Sequence, residues 1–321
     1  MESAMKAMVY QDYGSPDELD LQEVEMPAVV DDSVLVKVHA ASVNWHDWRF
    51  LSGTPFVARF MAGGLLKPKN KVLGSDVAGR VEAVGADVKQ FRPGDEVFGS
   101  TRHGCFAEYV CVSEEEVVTK PANVTFEEAA AAGAAAHTAL QGLRDKGRIN
   151  PGQKVLISGA SGGVGTFAVQ IAKSFGANVT GVCSTRNLDL VRSIGADQVI
   201  DYAQEDFTQK DQRYDLIFNV VAKRSFSNCK RVLGPEGIYV TTEFSPVLAL
   251  RGLWSSVTSS KKMVPLLAKP PTKEDLEYMK ELLEAGKVTP VIDKRYTLGE
   301  VPEALRYLEA GHTRGKIVIT M

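Results

Sequence analysis

A glycine-rich turn, Gly159-Ala-Ser-Gly-Gly-Val-Gly165, carries the clearest chemical signal in the chain. It follows the apolar run Val155-Leu156-Ile157 and precedes a predicted helix from Thr166 to Phe175 and a predicted strand from Asn178 to Cys183. In such a strand–turn–helix–strand unit, backbone amides at the helix N-terminus bind the pyrophosphate of a dinucleotide. The cofactor contacts expected in this turn are Ser161, Gly162, Gly163, Val164 and Gly165.

The turn departs from the usual glycine fingerprint at one place. Ala160 stands where the first glycine is expected, whereas Gly162 and Gly165 occupy the second and third places. The second place needs no side chain because the phosphates approach its backbone, and the third allows the helix to pack closely on the strand. The flanking strand and helix make the match specific.

The residues after the second strand bear on the choice of cofactor. Where an NAD enzyme places a carboxylate for the ribose 2′-hydroxyl, this chain reads Cys183-Ser184-Thr185-Arg186. A carboxylate would repel a 2′-phosphate, whereas a hydroxyl and a guanidinium would bind one. The pattern favours NADPH over NADH. The alternative is that Arg186 is a solvated residue at the start of a helix.

Length and composition narrow the class of protein. The 321 residues suggest about two domains, and the 44% hydrophobic and 24% charged content is typical of a globular protein. The net charge of −3 gives no reason to expect nucleic acid as a partner. The longest run of low polarity, Ala129 to Ala136, is too short to span a bilayer, and the N-terminus lacks a secretory pattern. We therefore expect a cytoplasmic protein without an integral membrane segment.

The four cysteines are scattered and form no CxxC pair. Cys105 and Cys111 flank a predicted strand that begins at Phe106, at a spacing that fits no common zinc site. We interpret all four, including Cys183 and Cys229, as packing residues in a reducing compartment.

Two patterns divide the chain. The first 120 residues read as short strands and glycine turns, and the period of two in Val34, Val36 and Val38 is typical of a half-buried strand. From Thr125, which opens a capping-box pattern, strand and helix patterns alternate to about residue 243. The sequence thus predicts an α/β protein in which a β-rich domain precedes a doubly wound parallel sheet.

Residues 245 to 272 are harder to interpret. Leu248, Leu250, Leu253 and Trp254 form an apolar patch that precedes two lysines. A pocket lid, a dimer contact and a membrane-surface patch are the alternatives, and we favour the first two.

Five segments outside the glycine turn together form a family pattern: Ala41-Ser-Val-Asn-Trp-His-Asp47, Leu73-Gly-Ser-Asp-Val-Ala-Gly-Arg-Val-Glu82, Phe91-Arg-Pro-Gly-Asp-Glu-Val97, Phe106-Ala-Glu-Tyr-Val110 and Gly311-His-Thr-Arg-Gly-Lys-Ile-Val318. With them, the chain resembles the medium-chain dehydrogenase/reductase superfamily from about residue 5 to residue 320, most closely its zinc-independent quinone oxidoreductase and enone reductase branch. The resemblance implies a GroES-like β-barrel catalytic domain at 1–124, completed by 265–321, a Rossmann NADP-binding domain at 125–264, and a homodimer.

The metal ligands of zinc-dependent relatives are missing. Those relatives place a cysteine near the position of Asn44 and a Gly-His-Glu where this chain reads Gly74-Ser75-Asp76. His46 and Asp76 alone would not supply the three protein ligands of a catalytic zinc. We expect no catalytic metal.

Without zinc, the resemblance implies hydride transfer from NADPH to a quinone or to an α,β-unsaturated carbonyl, since these acceptors need only hydrogen-bond donors and a proton. By the same resemblance, Asn44, His46 and Asp47 belong to the loop that lines the active-site cleft. Asn44 would donate to the substrate oxygen or fix the nicotinamide ribose, and His46 is either a proton donor or a surface residue. Asp47 is expected chiefly as a structural acceptor.

The resemblance also implies cofactor contacts outside the glycine turn. The expected groups are Thr138 at the nicotinamide, Ser184, Arg186 and Tyr202 at the 2′-phosphate and adenine, Asn219 at the ribose, and Arg314 and Lys316 at the phosphates. The alternative functions are an alcohol dehydrogenase of the same superfamily and an NADPH-binding protein with a structural, regulatory or RNA-contacting role.

Overall fold

The computed structural model describes residues 4–61, 63–221, 225–243 and 260–321. They form two compact units. The first comprises the described residues up to His137 with Pro270–Gly286 and Pro290–Met321, and the second comprises the described residues of Thr138–Lys269 with Lys287–Thr289. The segment with Leu248, Leu250, Leu253 and Trp254, whose role the sequence left open, lies outside the described residues.

The secondary structure follows the two patterns of the sequence. The strands are β1 (Ala4–Tyr10), β2 (Leu19–Glu25), β3 (Ser33–Val43), β4 (Asp76–Val84), β5 (Glu96–Ser100), β6 (Tyr109–Ser113), β7 (Val117–Thr119), β8 (Lys154–Ser158), β9 (Asn178–Cys183), β10 (Gln198–Asp201), β11 (Tyr214–Asn219), β12 (Leu233–Thr241), β13 (Lys262–Pro265), β14 (Ile292–Thr297) and β15 (Lys316–Thr320). The α-helices are α1 (Trp45–Ser52), α2 (Val57–Met61), α3 (Phe126–Ala131), α4 (Ala134–Leu140), α5 (Gly163–Ser174), α6 (Leu188–Ser193), α7 (Phe226–Cys229), α8 (Lys273–Glu284) and α9 (Val301–Glu309).

The first unit is built mainly on antiparallel strands, as expected for the β-rich domain. Strands β1 and β2 pair with each other, and the larger sheet has the order β14-β15-β3-β4-β5-β7 with β6 also paired to β3. Strand β3 is central because its valines alternate into a core that includes Leu73, Phe106 and Ile317. The register places Ser42 of β3 opposite Asp76 of β4, and Val43 opposite Ile317 of β15. Polar residues of three strands are thereby brought together at one end of β3.

The boundary of the first unit falls later than the expected residue 124. Residues Phe126 to His137 belong to it, because Phe126 stacks on His39 with ring centroids 4.3 Å apart and Arg295 pairs with Glu127. The return to this unit likewise begins at Pro270 rather than at residue 265. The predicted capping box is present, since Glu128 N donates to Thr125 Oγ1 at 3.2 Å and Thr125 N donates to Glu128 Oε2 at 2.8 Å.

The second unit contains the predicted doubly wound sheet. Its six strands are all parallel and have the order β10-β9-β8-β11-β12-β13. Numbered from β8, this is the order 3-2-1-4-5-6 of a dinucleotide-binding fold. Helix α5 begins at Gly163, three residues before the predicted start, because the glycine turn itself supplies the first helical residues.

The predicted strand from Phe106 begins only at Tyr109. The amide of Phe106 donates to Leu73 O at 2.9 Å, so this residue pairs with the segment before β4. Cys111 therefore lies inside β6 rather than beyond its end. The other three cysteines are buried, and all four are free thiols.

No helix in the described ranges combines the length and the apolar character needed to cross a membrane.

Candidate functional site

The glycine turn of the second unit is shaped to receive a phosphate. Gly162 is the N-cap of α5 and provides no side-chain cap, so the first amides of the helix lack that partner. A Cβ at Gly162 would come no closer to other atoms than 3.6 Å, from Gly159 O, whereas a Cβ at Gly165 would lie 1.9 Å from the same oxygen. Gly165 is thus required by the turn itself, and Gly162 keeps open the space that a pyrophosphate would occupy. The turn fits a dinucleotide.

Asn187 connects this turn to the end of β9. Its Nδ2 donates to Ser161 Oγ at 2.9 Å and to Ser184 Oγ at 3.2 Å. The side chain is buried, and among the described residues nothing hydrogen-bonds its Oδ1. One amide therefore holds together the two places at which the sequence predicts the pyrophosphate and the 2′-phosphate.

The residues predicted for the adenosine end are brought together. Ser184 and Arg186 follow β9, and Tyr202 follows the neighbouring β10, where its amide donates to Cys183 O at 3.1 Å. Ser184 is half-buried, while Arg186 and Tyr202 are exposed. Thr185 Oγ1 donates to Asp201 Oδ2 at 2.5 Å and so fixes the segment between them. The chain thus offers a hydroxyl and a guanidinium after β9, while the carboxylate of Asp201, at the end of β10, is bonded by Thr185 and by the amide of Ala203.

The remaining predicted cofactor contacts are spread over both units. Asn219 ends β11 and is buried, with its Nδ2 donating to Tyr239 Oη at 2.7 Å. Thr138 is half-buried in α4, in the second unit. Arg314 is an exposed residue of the first unit, and its backbone amide donates to Asp293 Oδ2 at 2.8 Å.

A second constellation, in the first unit, is centred on the buried carboxylate of Asp76. Its Oδ2 accepts from Ser42 Oγ at 2.6 Å and from Asn44 Nδ2 at 2.8 Å, while its Oδ1 accepts from the amide of Ala134 at 2.7 Å. A Cβ at Gly133 would lie 2.2 Å from Asp76 Oδ1, so this close approach requires glycine. Both carboxylate oxygens are therefore satisfied by the protein.

Lys316 supplies a buried cation to the same cluster. Its Nζ donates to Asn44 Oδ1 at 2.5 Å and to Val43 O at 3.2 Å, and it lies 3.6 Å from Asp76 Oδ2. Burial lowers the pKa of this ammonium, and the nearby carboxylates of Asp76 and Asp47 oppose that shift. The structure thus places Lys316 in this cluster, whereas we expected it at the cofactor phosphates.

The amide of Asn44 is occupied on both sides. Besides accepting from Lys316, it has Asp76 Oδ2 at 2.8 Å, Ser42 O at 3.3 Å and Ser75 Oγ at 3.5 Å around its Nδ2. An Asn side chain has only two amide hydrogens. The arrangement therefore fits a positioning role better than the expected donation to a substrate.

Asp47 and His46 lie at the first turn of α1. Asp47 Oδ2 accepts from the amide of Asn44 at 2.7 Å, which is the structural role expected for this residue. Burial raises the pKa of the Asp47 carboxyl, and His46, the largest opposing influence, favours its charged form. His46 is half-buried, and its Nε2 lies 2.5 Å from Ser75 Oγ and 3.6 Å from Asp47 Oδ1. It is the member of this group that combines solvent access with a link to the buried cluster.

The donor set of the first unit does not suit zinc. Within the described ranges, no three His, Cys, Asp or Glu side chains are grouped so that they could hold a metal ion. The one acidic group at the expected position, Asp76, is already bonded by Ser42, Asn44 and Ala134 and faces the ammonium of Lys316. Tetrahedral zinc prefers thiolate and imidazole ligands, whereas the groups that contact Asp76 are a hydroxyl, a side-chain amide, a backbone N–H and an ammonium.

Several of these residues were not among the predicted site residues. Ser42, Ser75, Asp76 and Asn187 were not expected to belong to a functional cluster. A usable signal existed for Asp76, because it is the one acidic residue in the otherwise small and apolar run Gly-Ser-Asp-Val-Ala-Gly. Ser42 and Asn187 carry no comparable signal, since their partners are set by strand register and by the turn after β9.

Comparison with known families and structures identifies relatives of this chain. The family described as "Alcohol dehydrogenase GroES-like domain" matches residues 30–122, and the family described as "Zinc-binding dehydrogenase" matches residues 194–319. A solved structure described as the quinone oxidoreductase from Coxiella burnetii superposes with a TM-score of 0.88 at 32% identity and covers 99% of both chains.

Two curated plant proteins are also similar. The 2-methylene-furan-3-one reductase of Solanum lycopersicum is 36% identical over 99% of this chain and 79% of its own length. The NADPH-dependent alkenal/one oxidoreductase, chloroplastic, of Arabidopsis thaliana is 34% identical over 98% of this chain and 79% of its own length. The chain therefore belongs to the medium-chain dehydrogenase/reductase superfamily, in its quinone and enone reductase branch.

Proposed function

We propose that this protein uses NADPH to reduce quinones or α,β-unsaturated carbonyl compounds. The observation that carries the cofactor assignment is the open turn at Gly162, joined through Asn187 to Ser184 and followed by Arg186. The acceptor class is supported by relatives named as a furanone reductase, an alkenal/one oxidoreductase and a quinone oxidoreductase. A guanidinium and a hydroxyl at the end of β9 favour a 2′-phosphate over a free 2′-hydroxyl.

When bound, NADPH supplies a hydride from its nicotinamide to an electron-poor carbon of the acceptor. The residues of the second unit would hold it: the first amides of α5 the pyrophosphate, Ser184 and Arg186 the 2′-phosphate, and Tyr202 the adenine. Thr138 and Asn219 are proposed as contacts to the nicotinamide half, and Arg314 to the phosphates. Each of these groups binds or orients and takes no part in bond making.

The first unit would supply the proton. Reduction of an enone or a quinone leaves an oxyanion or enolate that must be protonated, and a half-exposed imidazole suits that task. His46 is the proposed donor, because its Nε2 is held by Ser75 Oγ and lies close to the Asp47 carboxylate. Asn44 and Asp47 are proposed to position this segment, the first through Asp76 and Lys316, the second by capping α1.

Three further expectations remain part of the proposal. The reaction is proposed to need no zinc, which accords with the donor set around Asp76. A homodimer and a cytoplasmic location are also proposed; of the relatives, the alkenal/one oxidoreductase is named as chloroplastic.

The direct test follows the NADPH absorbance band with the purified protein. We expect rapid oxidation with 9,10-phenanthrenequinone or with 1-octen-3-one, unaffected by prior dialysis against a chelator. His46→Gln should lower kcat for the enone while leaving NADPH binding unchanged. NADPH binding without turnover of either acceptor, or chelator-sensitive oxidation of a simple alcohol, would contradict the proposal.

A further inference from the structure

One segment of the first unit differs in charge from the rest of the chain. Residues 48–75 contain two arginines and three lysines and no aspartate or glutamate, which gives +5 in a chain whose net charge is −3. Lys67, Lys69 and Lys71 are all exposed. Lys67 pairs with Asp12 at 3.0 Å, and among the described ion pairs none involves Lys69 or Lys71. Positive potential is therefore concentrated on this part of the surface.

The same segment exposes large apolar side chains. We define the apolar patch as Phe56 (60% exposed), Val57 (60%), Phe60 (62%), Leu65 (45%) and Leu66 (88%). Phe56 and Phe60 contact each other edge to face, with ring centroids 6.0 Å apart. Single exposed apolar residues are ordinary, but five within the eleven residues 56–66 are typical of a binding surface.

Contacts of Arg59 and Tyr13 fix the backbone of this segment. The Arg59 guanidinium lies 4.8 Å from the ring centroid of Tyr13 and 5.5 Å from that of Phe56, and its Nη1 donates to Leu65 O at 3.3 Å. Tyr13 Oη donates to Gly64 O. These contacts use the polar groups of the segment internally and leave the apolar side chains outward.

Leu65 and Leu66 occupy the tip of a tight turn. A Cβ at Gly64 would lie 1.9 Å from Lys67 O, so the chain reverses between these two residues. Turn tips are ordinarily built from Gly, Pro, Asn, Asp and Ser. Two exposed leucines at such a place are unfavourable in water and indicate that the turn is covered by another phase or molecule.

We propose that this face binds the surface of a bilayer that contains anionic lipid. Such a surface offers acyl chains to the apolar patch and phosphate groups to Lys69 and Lys71, which is the combination that this segment requires. A second copy of the chain is a poorer partner, because a two-fold contact would bring the +5 segment against itself. The association is peripheral, and it does not depend on the reaction proposed above.

The test is co-sedimentation of the full chain with vesicles of phosphatidylcholine alone or mixed with phosphatidylglycerol, without NADPH or acceptor. We expect binding only to the mixed vesicles and a loss of binding as salt rises. Lys69→Gln/Lys71→Gln should weaken it about 25-fold, from about fivefold per lysine. Leu66→Ser should weaken it about tenfold or more.

Matched controls lie elsewhere on the surface. Lys89→Gln/Lys287→Gln removes two exposed lysines outside the segment, and Leu267→Ser removes a leucine that is 61% exposed; both should bind vesicles like the unmodified protein. No binding to mixed vesicles, or equal binding to uncharged ones, would overturn the proposal. It would also be overturned if Leu66→Ser left vesicle binding intact and instead dissociated a dimer or raised KM for the enone. NADPH turnover measured in the same samples reports separately on the proposed reaction.

Discussion

Lys316 Nζ lies 2.5 Å from Asn44 Oδ1 and 3.6 Å from Asp76 Oδ2, so one buried ammonium both orients an amide and faces a carboxylate. The three residues come from β15, the start of α1 and the start of β4, and they join these elements at one point. The positive charge next to the Asp76 carboxylate is therefore the ammonium of Lys316.

Lys316→Met should lower the free energy of unfolding by about 3–5 kcal/mol, because it leaves the charge of Asp76 buried and uncompensated. Urea denaturation followed by circular dichroism measures this loss. The double variant Lys316→Met/Asp76→Asn should recover part of it, since the second change removes the orphaned charge. Strictly additive losses would show that the two groups do not interact.

The glycine turn provides a pair of substitutions with opposite consequences. Gly162→Ala should leave stability nearly unchanged, because its Cβ meets nothing closer than 3.6 Å, but should weaken NADPH binding tenfold or more. Gly165→Ala should destabilise the second unit by about 1–3 kcal/mol, because its Cβ would lie 1.9 Å from Gly159 O. Thermal unfolding and NADPH fluorescence titration separate the two effects. Normal NADPH affinity in Gly162→Ala would contradict the phosphate assignment.

Arg186→Ala should raise KM for NADPH far more than KM for NADH, with a loss of roughly 1.5–3 kcal/mol of charge-assisted hydrogen bonding. Arg192→Ala is the matched control, because Arg192 is also exposed and pairs with Asp189 at 2.9 Å, three residues earlier on the same helix. An equal effect of Arg186→Ala on the two cofactors would remove the 2′-phosphate assignment.

The buried carboxyl of Asp47 should make the free energy of unfolding depend on pH. Burial raises the pKa of its carboxyl in the folded state above the unfolded value of about 3.9. The folded state then binds more protons than the unfolded chain, so the free energy of unfolding falls as pH rises through this window. Asp47→Asn does not titrate, and His46, Asp76 and Lys316 are common to both proteins. From about pH 4 upward, the free energy of unfolding of the wild type should fall relative to that of Asp47→Asn. Urea denaturation at several pH values measures this difference. A rise in the wild-type value relative to Asp47→Asn would refute the prediction.

The sequence is most informative where local patterns determine structure. Strands β8 and β9 were predicted closely, because an apolar run followed by a glycine turn has few other interpretations. Strand β13 was not predicted, since it lies in the segment 245–272 that the sequence left open. The period of two in Val34, Val36 and Val38 likewise indicated the strand that the structure shows as β3. Helix α1 was not predicted, since Trp-His-Asp-Trp-Arg-Phe has no apolar period and its start depends on Asp47 capping the amide of Asn44.

The polar cluster shows where sequence reasoning stops. Asn44, His46 and Asp47 were selected from their resemblance to a family loop, yet their bonding is decided by Ser42, Asp76 and Lys316, which are distant in sequence. The pairing of Ser42 with Asp76 follows from the register of β3 and β4, and that of Lys316 with Asn44 from the register of β15 on β3. Long-range register is not encoded in any local pattern, so the role of Lys316 became visible only in the structure.

NADPH deuterated at nicotinamide C4 would show whether the protein transfers hydride to an enone without a metal. The chelator-treated protein would be incubated with each C4 epimer of the labelled cofactor and 1-octen-3-one, and the product examined by mass spectrometry and NMR. We expect one epimer to place a single deuterium on the carbon β to the carbonyl, at the same rate as with protein that was not treated with chelator. Deuterium on the carbinol carbon, or a reaction that returns only when zinc is added, would contradict it.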